Sequence, residues 1–166
     1  RKLGFTTRKT MSVAQQLYEG LPVGGKGPVG LITYMRTDST RIAESAQEEA
    51  RTVIASRYGE MYLPAKAPVY STKKMAQDAH EAIRPTHVEL TPLEVETHLS
   101  KEQWRLYKLI WERFVASQMN AALYETVSVD LTAGSYRLRA NGSILKFAGF
   151  MVLYTEGMDE GKEEKD

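Results

Sequence analysis

KEQWRLYKLIWERFVASQMNAALYETVSVDL, residues 101–131, changes its period half-way along. In the first part Trp104, Tyr107, Leu109, Ile110, Trp111, Phe114 and Met119 recur at helical spacing and form one apolar side. Ser100, with Gln103 three residues on, is a capping box, so the pattern predicts a long helix over about 101–121. Its aromatics read as core or domain interface. After Ala122 the period drops to two: Tyr124, Thr126, Ser128 and Asp130 alternate with Glu125, Val127, Val129 and Leu131. Residues 136–140 and 144–153 also read as strands, and Asn141-Gly142 is a strong two-residue hairpin signal. Helices followed by a three-stranded antiparallel unit give an α+β chain. Three strands without a covering layer are marginal, so either the long helix packs on them or sequence outside this chain completes the sheet.

Upstream, helical punctuation dominates. TRKTMSVAQQLYE (7–19) carries Met11, Ala14, Leu17 and Tyr18 at helical spacing, with Thr6 or Thr7 as N-cap. Gly20 and Pro22 stop it. VGGKGPVG (23–30) lacks the Lys-Ser/Thr and the helix that a P-loop requires, and reads as a hairpin or flexible turn. Residues 31–35 suit a short buried strand. Asp38 or Ser39 can then cap a helix over about 40–58, with Ile42, Ala46, Ala50, Val53 and Ile54 facing inward. Residues 59–72 read as a connection. A helix is expected over about 73–83, ended by Pro85. Thr91, Pro92 and Glu94 open another as N-cap, first helical residue and capping-box partner.

Composition narrows the possibilities. The 166 residues are 42% hydrophobic and 26% charged, a globular balance, and no apolar run approaches the ~20 residues of a membrane span. The absence of cysteine removes disulfides, thiolate metal sites and cysteine nucleophiles, and fits a reducing compartment. The net charge of +1 hides an asymmetry: residues 156–166 hold six acids and two lysines, so the rest carries a positive excess compatible with a polyanionic partner. The acidic end reads as a disordered, solvated tail. Neither end resembles a targeting sequence. The chain opens on RKLGF without an initiator Met, which reads as a piece of a longer polypeptide.

GLITYMRTDS (30–39) is the segment with chemistry in it. In an extended chain Tyr34 and Arg36 share a face, with a helix N-terminus just beyond. An arginine fork binds two phosphate oxygens, and a helix N-terminus adds free N–H groups. A phenol beside such a site could form a phosphotyrosine ester. The bland readings are a core or interface tyrosine and a surface arginine.

Two strings decide between these. ITYMRTDS (32–39) resembles the active-site signature of type IA DNA topoisomerases, and QDAHEAIRPT (77–86) resembles their second signature, in the right order. GFTTRKTMSVAQQLYEG (4–20) is similar to the stretch that precedes the active-site loop in that family. Met35 resembles the bacterial topoisomerase I branch; topoisomerase III commonly has proline there. The resemblance implies that Tyr34 is the nucleophile that attacks single-stranded DNA and keeps its 5′ phosphate, that Arg36 positions and neutralises the scissile phosphate, and that His80 supports tyrosine or phosphate, with Asp38 as a candidate intermediary. It makes Thr37, Asp38 and Ser39 polar residues lining the DNA site. Arg84 either contacts DNA or pairs with Glu81, His80 can also be a structural histidine, and Asp38 can also be an N-cap.

The resemblance further implies an architecture: a helical, tyrosine-bearing domain over 1–121, β-strands of an arch domain over 122–155, and the acidic tail 156–166. It places Mg2+ and its acidic Toprim domain outside this chain, so the expected partners are single-stranded DNA and the remaining domains of the same polypeptide. Alone, the piece is expected to be inactive. It also implies ATP-independent relaxation of negative supercoils, in the cytoplasm at the bacterial nucleoid. The alternative is a non-enzymatic single-stranded DNA-binding module, indifferent to Tyr34 and Arg36.

Overall fold

The computed structural model describes residues 2–25, 27–70 and 80–156. The chain is α+β: helices come first and an antiparallel ribbon follows. Helix α1 (Thr7–Glu19) is N-capped by Thr6, whose side chain accepts from the Lys9 N–H, and it buries Val13, Ala14 and Leu17. Met11 and Tyr18, though at helical spacing, stay exposed. Beyond Gly20, two-residue strands β1 (Leu21–Pro22) and β2 (Pro28–Val29) pair antiparallel, so the glycine-rich segment closes a small hairpin.

Residues 31–35 do not form the expected strand. Ile32 alone makes a β-bridge, to Pro85, while Leu31 and Ile32 are fully buried. Helix α2 (Glu44–Tyr58) buries Ala46, Ala50, Val53 and Ile54 as their spacing requires. It begins later than expected, with Ala43 as N-cap and no side-chain cap, so neither Asp38 nor Ser39 caps it. Other bonds take the intervening residues: Ser39 Oγ donates to the His80 carbonyl at 2.7 Å and the Ala82 N–H donates to the Arg41 carbonyl at 2.8 Å. For the same reason residues 80–83 are irregular and not helical; the first part of the helix expected there, 73–79, lies outside the described residues.

Helix α3 (Pro92–Val95) has the full capping box of Thr91 and Glu94 with Pro92 at its start. Burial alone would raise the Glu94 carboxyl, but hydrogen bonds from the Thr91 backbone and side chain, with the charge of Arg57, hold it below the ordinary carboxylate range. Helix α4 (Lys101–Ser117) opens on the Ser100–Gln103 box and buries Leu106, Tyr107, Trp111, Phe114, Val115 and Ala116. It stops at Ser117, short of 121, because Asn120 is held elsewhere: its N–H donates to the Tyr62 carbonyl and its amide to the Met61 and Leu63 carbonyls.

Three aromatic tips tie α4 to the segment that leads into α3. Trp111 Nε1 donates to the Val88 carbonyl at 2.9 Å, the Tyr107 hydroxyl to the Leu90 carbonyl at 2.6 Å, and Trp104 Nε1 to the Pro92 carbonyl at 2.8 Å. The Tyr107 and Trp111 rings fill core while their polar atoms satisfy carbonyls that would otherwise be stranded away from water; Trp104 is only half-buried. Burial, with the nearby charges of Glu89 and Glu94, pushes the Tyr107 phenol well above its ordinary value.

The β unit has two strands where three were expected. Strands β3 (Leu123–Ala133) and β4 (Tyr136–Phe147) pair along their length, and the turn is at Gly134-Ser135, with Gly134 at φ +62°. Asn141-Gly142 is not a turn. It sits in mid-strand opposite Ser128 and Val127, with Ser128 Oγ donating to Asn141 Oδ1 at 2.7 Å. Residues 149–152 form a 3-10 turn instead of continuing a strand. The ribbon is exposed on both faces nearly throughout. Its register puts Val127, Val129, Leu131, Leu138, Ala140 and Ile144 on one side and Thr126, Ser128, Asp130, Arg139, Asn141 and Ser143 on the other.

Candidate active site

The candidate site is a loop, residues 34–38, whose two stems are clamped by one non-helical segment, 80–86. On the first stem the Thr33 N–H donates to the Arg84 carbonyl at 2.9 Å, Thr33 Oγ1 donates to the Ala82 carbonyl at 2.7 Å, and the Thr86 N–H donates to the Leu31 carbonyl at 3.1 Å. On the second stem Ser39 and Arg41 hold His80 and Ala82. This lacing brings the two motifs together, although they lie some forty residues apart in sequence.

Tyr34 projects from the first stem with 54% of its surface exposed. Its ring meets the Tyr18 ring edge-on at 5.4 Å between centroids and lies 6.3 Å from the His80 imidazole, tilted by 34°. The loop turns at once, since the Arg36 N–H donates to the Tyr34 carbonyl at 2.8 Å, so the extended geometry assumed from the sequence is absent. The helix N-terminus expected just beyond Asp38 is absent too, because α2 starts only at Glu44.

Arg36 and Asp38 form a local fork: Nε donates to Oδ1 at 3.1 Å and to Oδ2 at 3.2 Å. Asp38 thereby holds the base of the guanidinium through Nε. Among the described residues no hydrogen bond joins Asp38 to His80; the link to His80 runs through Ser39, which is buried and grips its backbone. Thr37 is exposed on the loop. Arg84 is turned inward: Nε and Nη2 donate to Glu81 Oε2 at 3.1 and 2.6 Å, and Nη1 donates to the Pro85 carbonyl. With 11% of its side chain exposed, Arg84 braces the segment that carries His80.

The family model for DNA topoisomerase matches residues 1–166. The chain belongs to this family, in its bacterial type IA branch. Its structure is similar to full-length topoisomerase I from Thermotoga maritima, at 41% sequence identity and a TM-score of 0.79. That match covers 99% of this chain and 26% of the Thermotoga chain, so the chain spans about a quarter of that topoisomerase's length.

Two residues beside the Tyr34 loop escaped the sequence reading. Tyr18 was assigned to a helix face, yet it borders Tyr34. Gly30 was an ordinary loop glycine, yet a Cβ there would lie 2.7 Å from the Tyr18 carbonyl oxygen. The Leu31 N–H donates to the Leu17 carbonyl at 2.7 Å, so the strand-like stem runs tight against the end of α1, and only glycine permits that approach. Among the described residues no group of three or more His, Asp or Glu could hold a metal ion. Likewise, none of the described helices is long and apolar enough to cross a membrane.

Proposed function

We propose that this chain supplies the nucleophile half of a type IA topoisomerase active site. The observation that carries the reading is the half-exposed phenol of Tyr34, set between Tyr18 and His80 with the Arg36–Asp38 fork two residues on. The phenolic oxygen attacks the phosphorus of a single-stranded DNA phosphodiester. The bond from phosphorus to tyrosine oxygen forms, the bond to the 3′ oxygen breaks, and the phenolic proton ends on the released 3′ hydroxyl. The 5′ phosphate stays on Tyr34. One phosphodiester replaces another, so bond energy is retained, the step reverses, and no ATP is consumed.

A free phenol ionises only near pH ~10, so the phosphate charge must be neutralised for attack at neutral pH. Arg36 suits that task. Asp38 occupies its Nε and leaves the terminal nitrogens to face a phosphate. His80, held by Ser39 through its backbone, is placed to orient the phenol or the departing oxygen. In this reading Thr37 lines the strand path and Arg84 acts through the segment it braces. Mg2+ and a Toprim domain belong to other parts of the polypeptide. The strand break is then held open while a second strand passes, which relaxes negative supercoils in the bacterial cytoplasm. The piece alone is inactive.

Tyr34→Phe in the full-length protein tests this. Denaturant-trapped adducts between protein and single-stranded oligonucleotide are expected to disappear, while non-covalent binding and the melting temperature stay as they were. An adduct that persists at wild-type yield rejects Tyr34 as nucleophile. Full DNA affinity with no adduct even before the change favours the non-enzymatic binding module.

A further inference from the structure

A second feature lies away from Tyr34. Lys2 and Leu3, ahead of α1, the outer face of α4 and residues 153–155 enclose an open cleft of about 390 Å3. Tyr18 and Tyr34 stand beyond the other end of α1, whose 13 residues span about 20 Å at 1.5 Å each. Four cations line the cleft, Lys2, Lys101, Arg105 and Lys108, against one acid, Glu112. Glu112 lies 3.8 Å from Lys108, and Glu156 accepts from the Tyr154 hydroxyl at the rim.

Three of these four cations lie over aromatic rings. Lys108 Nζ sits 5.0 Å from the Trp104 ring centre, and Lys2 Nζ and the Arg113 guanidinium lie 4.5 and 5.3 Å from that of Tyr154. Nearby, Arg105 lies 5.5 Å from the Phe5 ring centre. Rings that park long side chains reduce the entropy lost when those side chains grip an anion. Basic residues interleaved with aromatics along one groove are the arrangement that tracks a single nucleic-acid strand.

We propose that this cleft is a second binding site for single-stranded DNA, engaging its phosphodiester backbone through Lys2, Lys101, Arg105 and Lys108, separate from the strand cleaved at Tyr34. The proposal rests on the topoisomerase reading for the identity of the polyanion. The cleft would hold a strand while the other strand is open.

The test uses the full-length protein carrying Tyr34→Phe and a 20-nucleotide oligo(dT) bearing 5-iododeoxyuridine. Photocrosslinking followed by peptide mass spectrometry is expected to mark Trp104 or Tyr154. Lys101→Ala with Lys108→Ala should lower that yield about fivefold and reduce the salt dependence of binding by about 1.4 in log–log slope, at ~0.7 per cation on a single strand. In the Tyr34-containing enzyme the same pair should leave the covalent adduct yield unchanged. Crosslinks confined to the 34–38 loop, or a salt slope unmoved by the double change, overturn the cleft while the adduct still supports Tyr34. A cleft that crosslinks only after Asp159, Glu160, Glu163, Glu164 and Asp166 are changed to their amides is occupied by the chain's own acidic residues, and that also overturns the proposal. Loss of the adduct with cleft crosslinks intact would count against the catalytic reading instead.

Discussion

Gly30 shows how much of the site depends on a residue with no chemistry of its own. Its missing side chain lets the stem of the Tyr34 loop lie against the Tyr18 carbonyl, and this contact sets two tyrosine rings at an edge-on angle. Gly30→Ala drives a methyl group into backbone that cannot swing away, so it should destabilise the protein by about 1–3 kcal/mol in chemical denaturation. It should also lower adduct formation in the full-length protein more than the stability loss explains. Unchanged stability would mean that the approach is looser than drawn. Tyr34, Arg36 and His80 were singled out by their motifs, and the structure sets the Tyr34 and His80 rings 6.3 Å apart. Tyr18 and Gly30 were not, because their roles arise from one tertiary approach that leaves no periodic trace. The capping alternative for Asp38 does not hold, because its carboxylate is taken by Arg36 and α2 starts only at Glu44.

At the scale of elements, the two capping boxes read true, while the cap expected at Asp38 or Ser39 and the turn expected at Asn141-Gly142 did not. Both capping boxes, Thr91–Glu94 and Ser100–Gln103, lie where the sequence put them, since a cap is settled within four residues. The extent of α4 and the state of residues 80–83 depended on hydrogen bonds to distant carbonyls, which no local pattern encodes. Asn141-Gly142 is a hairpin dipeptide that the strand absorbed, because the register is fixed by eleven paired positions ending at Gly134-Ser135. The joint between α4 and residues 88–92 offers an alkaline test. The buried phenol of Tyr107 ionises less readily folded than unfolded. Its contribution to stability is therefore complete below pH ~10 and is lost as pH rises beyond that. Tyr107→Phe should cost about 1–3 kcal/mol near neutrality, through the stranded Leu90 carbonyl, and flatten the alkaline decline. Denaturation curves at pH 7 and 11 measure both, and an identical decline in the variant would place the titrating group elsewhere.

For the whole molecule, the contrast is between a helical body with a dense core and a ribbon with none. Leu17, Ile54, Tyr107 and Val115 are fully enclosed, whereas Leu131, Leu138 and Ile144 stand more than half exposed on one face of the ribbon. Leu17→Ala should remove about 2–5 kcal/mol. Leu131→Thr with Leu138→Thr should change the stability of this 166-residue chain by no more than about 0.5 kcal/mol, as exposed substitutions do. Equal losses from both would show that the ribbon face is covered. The α+β reading came through because the change of period near residue 122 is a property of the whole sequence. The strand count failed because residues 136–147 run as one strand through Asn141-Gly142, and only the end of the expected third strand turns into the 3-10 segment at Gly149–Val152.

The central claim is that the phenolic oxygen of Tyr34 becomes bonded to DNA phosphorus. The direct measurement is to trap full-length protein on single-stranded DNA, digest both, and sequence the modified peptide by mass spectrometry. The account predicts a nucleotide 5′ phosphate esterified to Tyr34 in the peptide containing ITYMR. A modified peptide in which Tyr34 is bare and another residue carries the phosphate would contradict it.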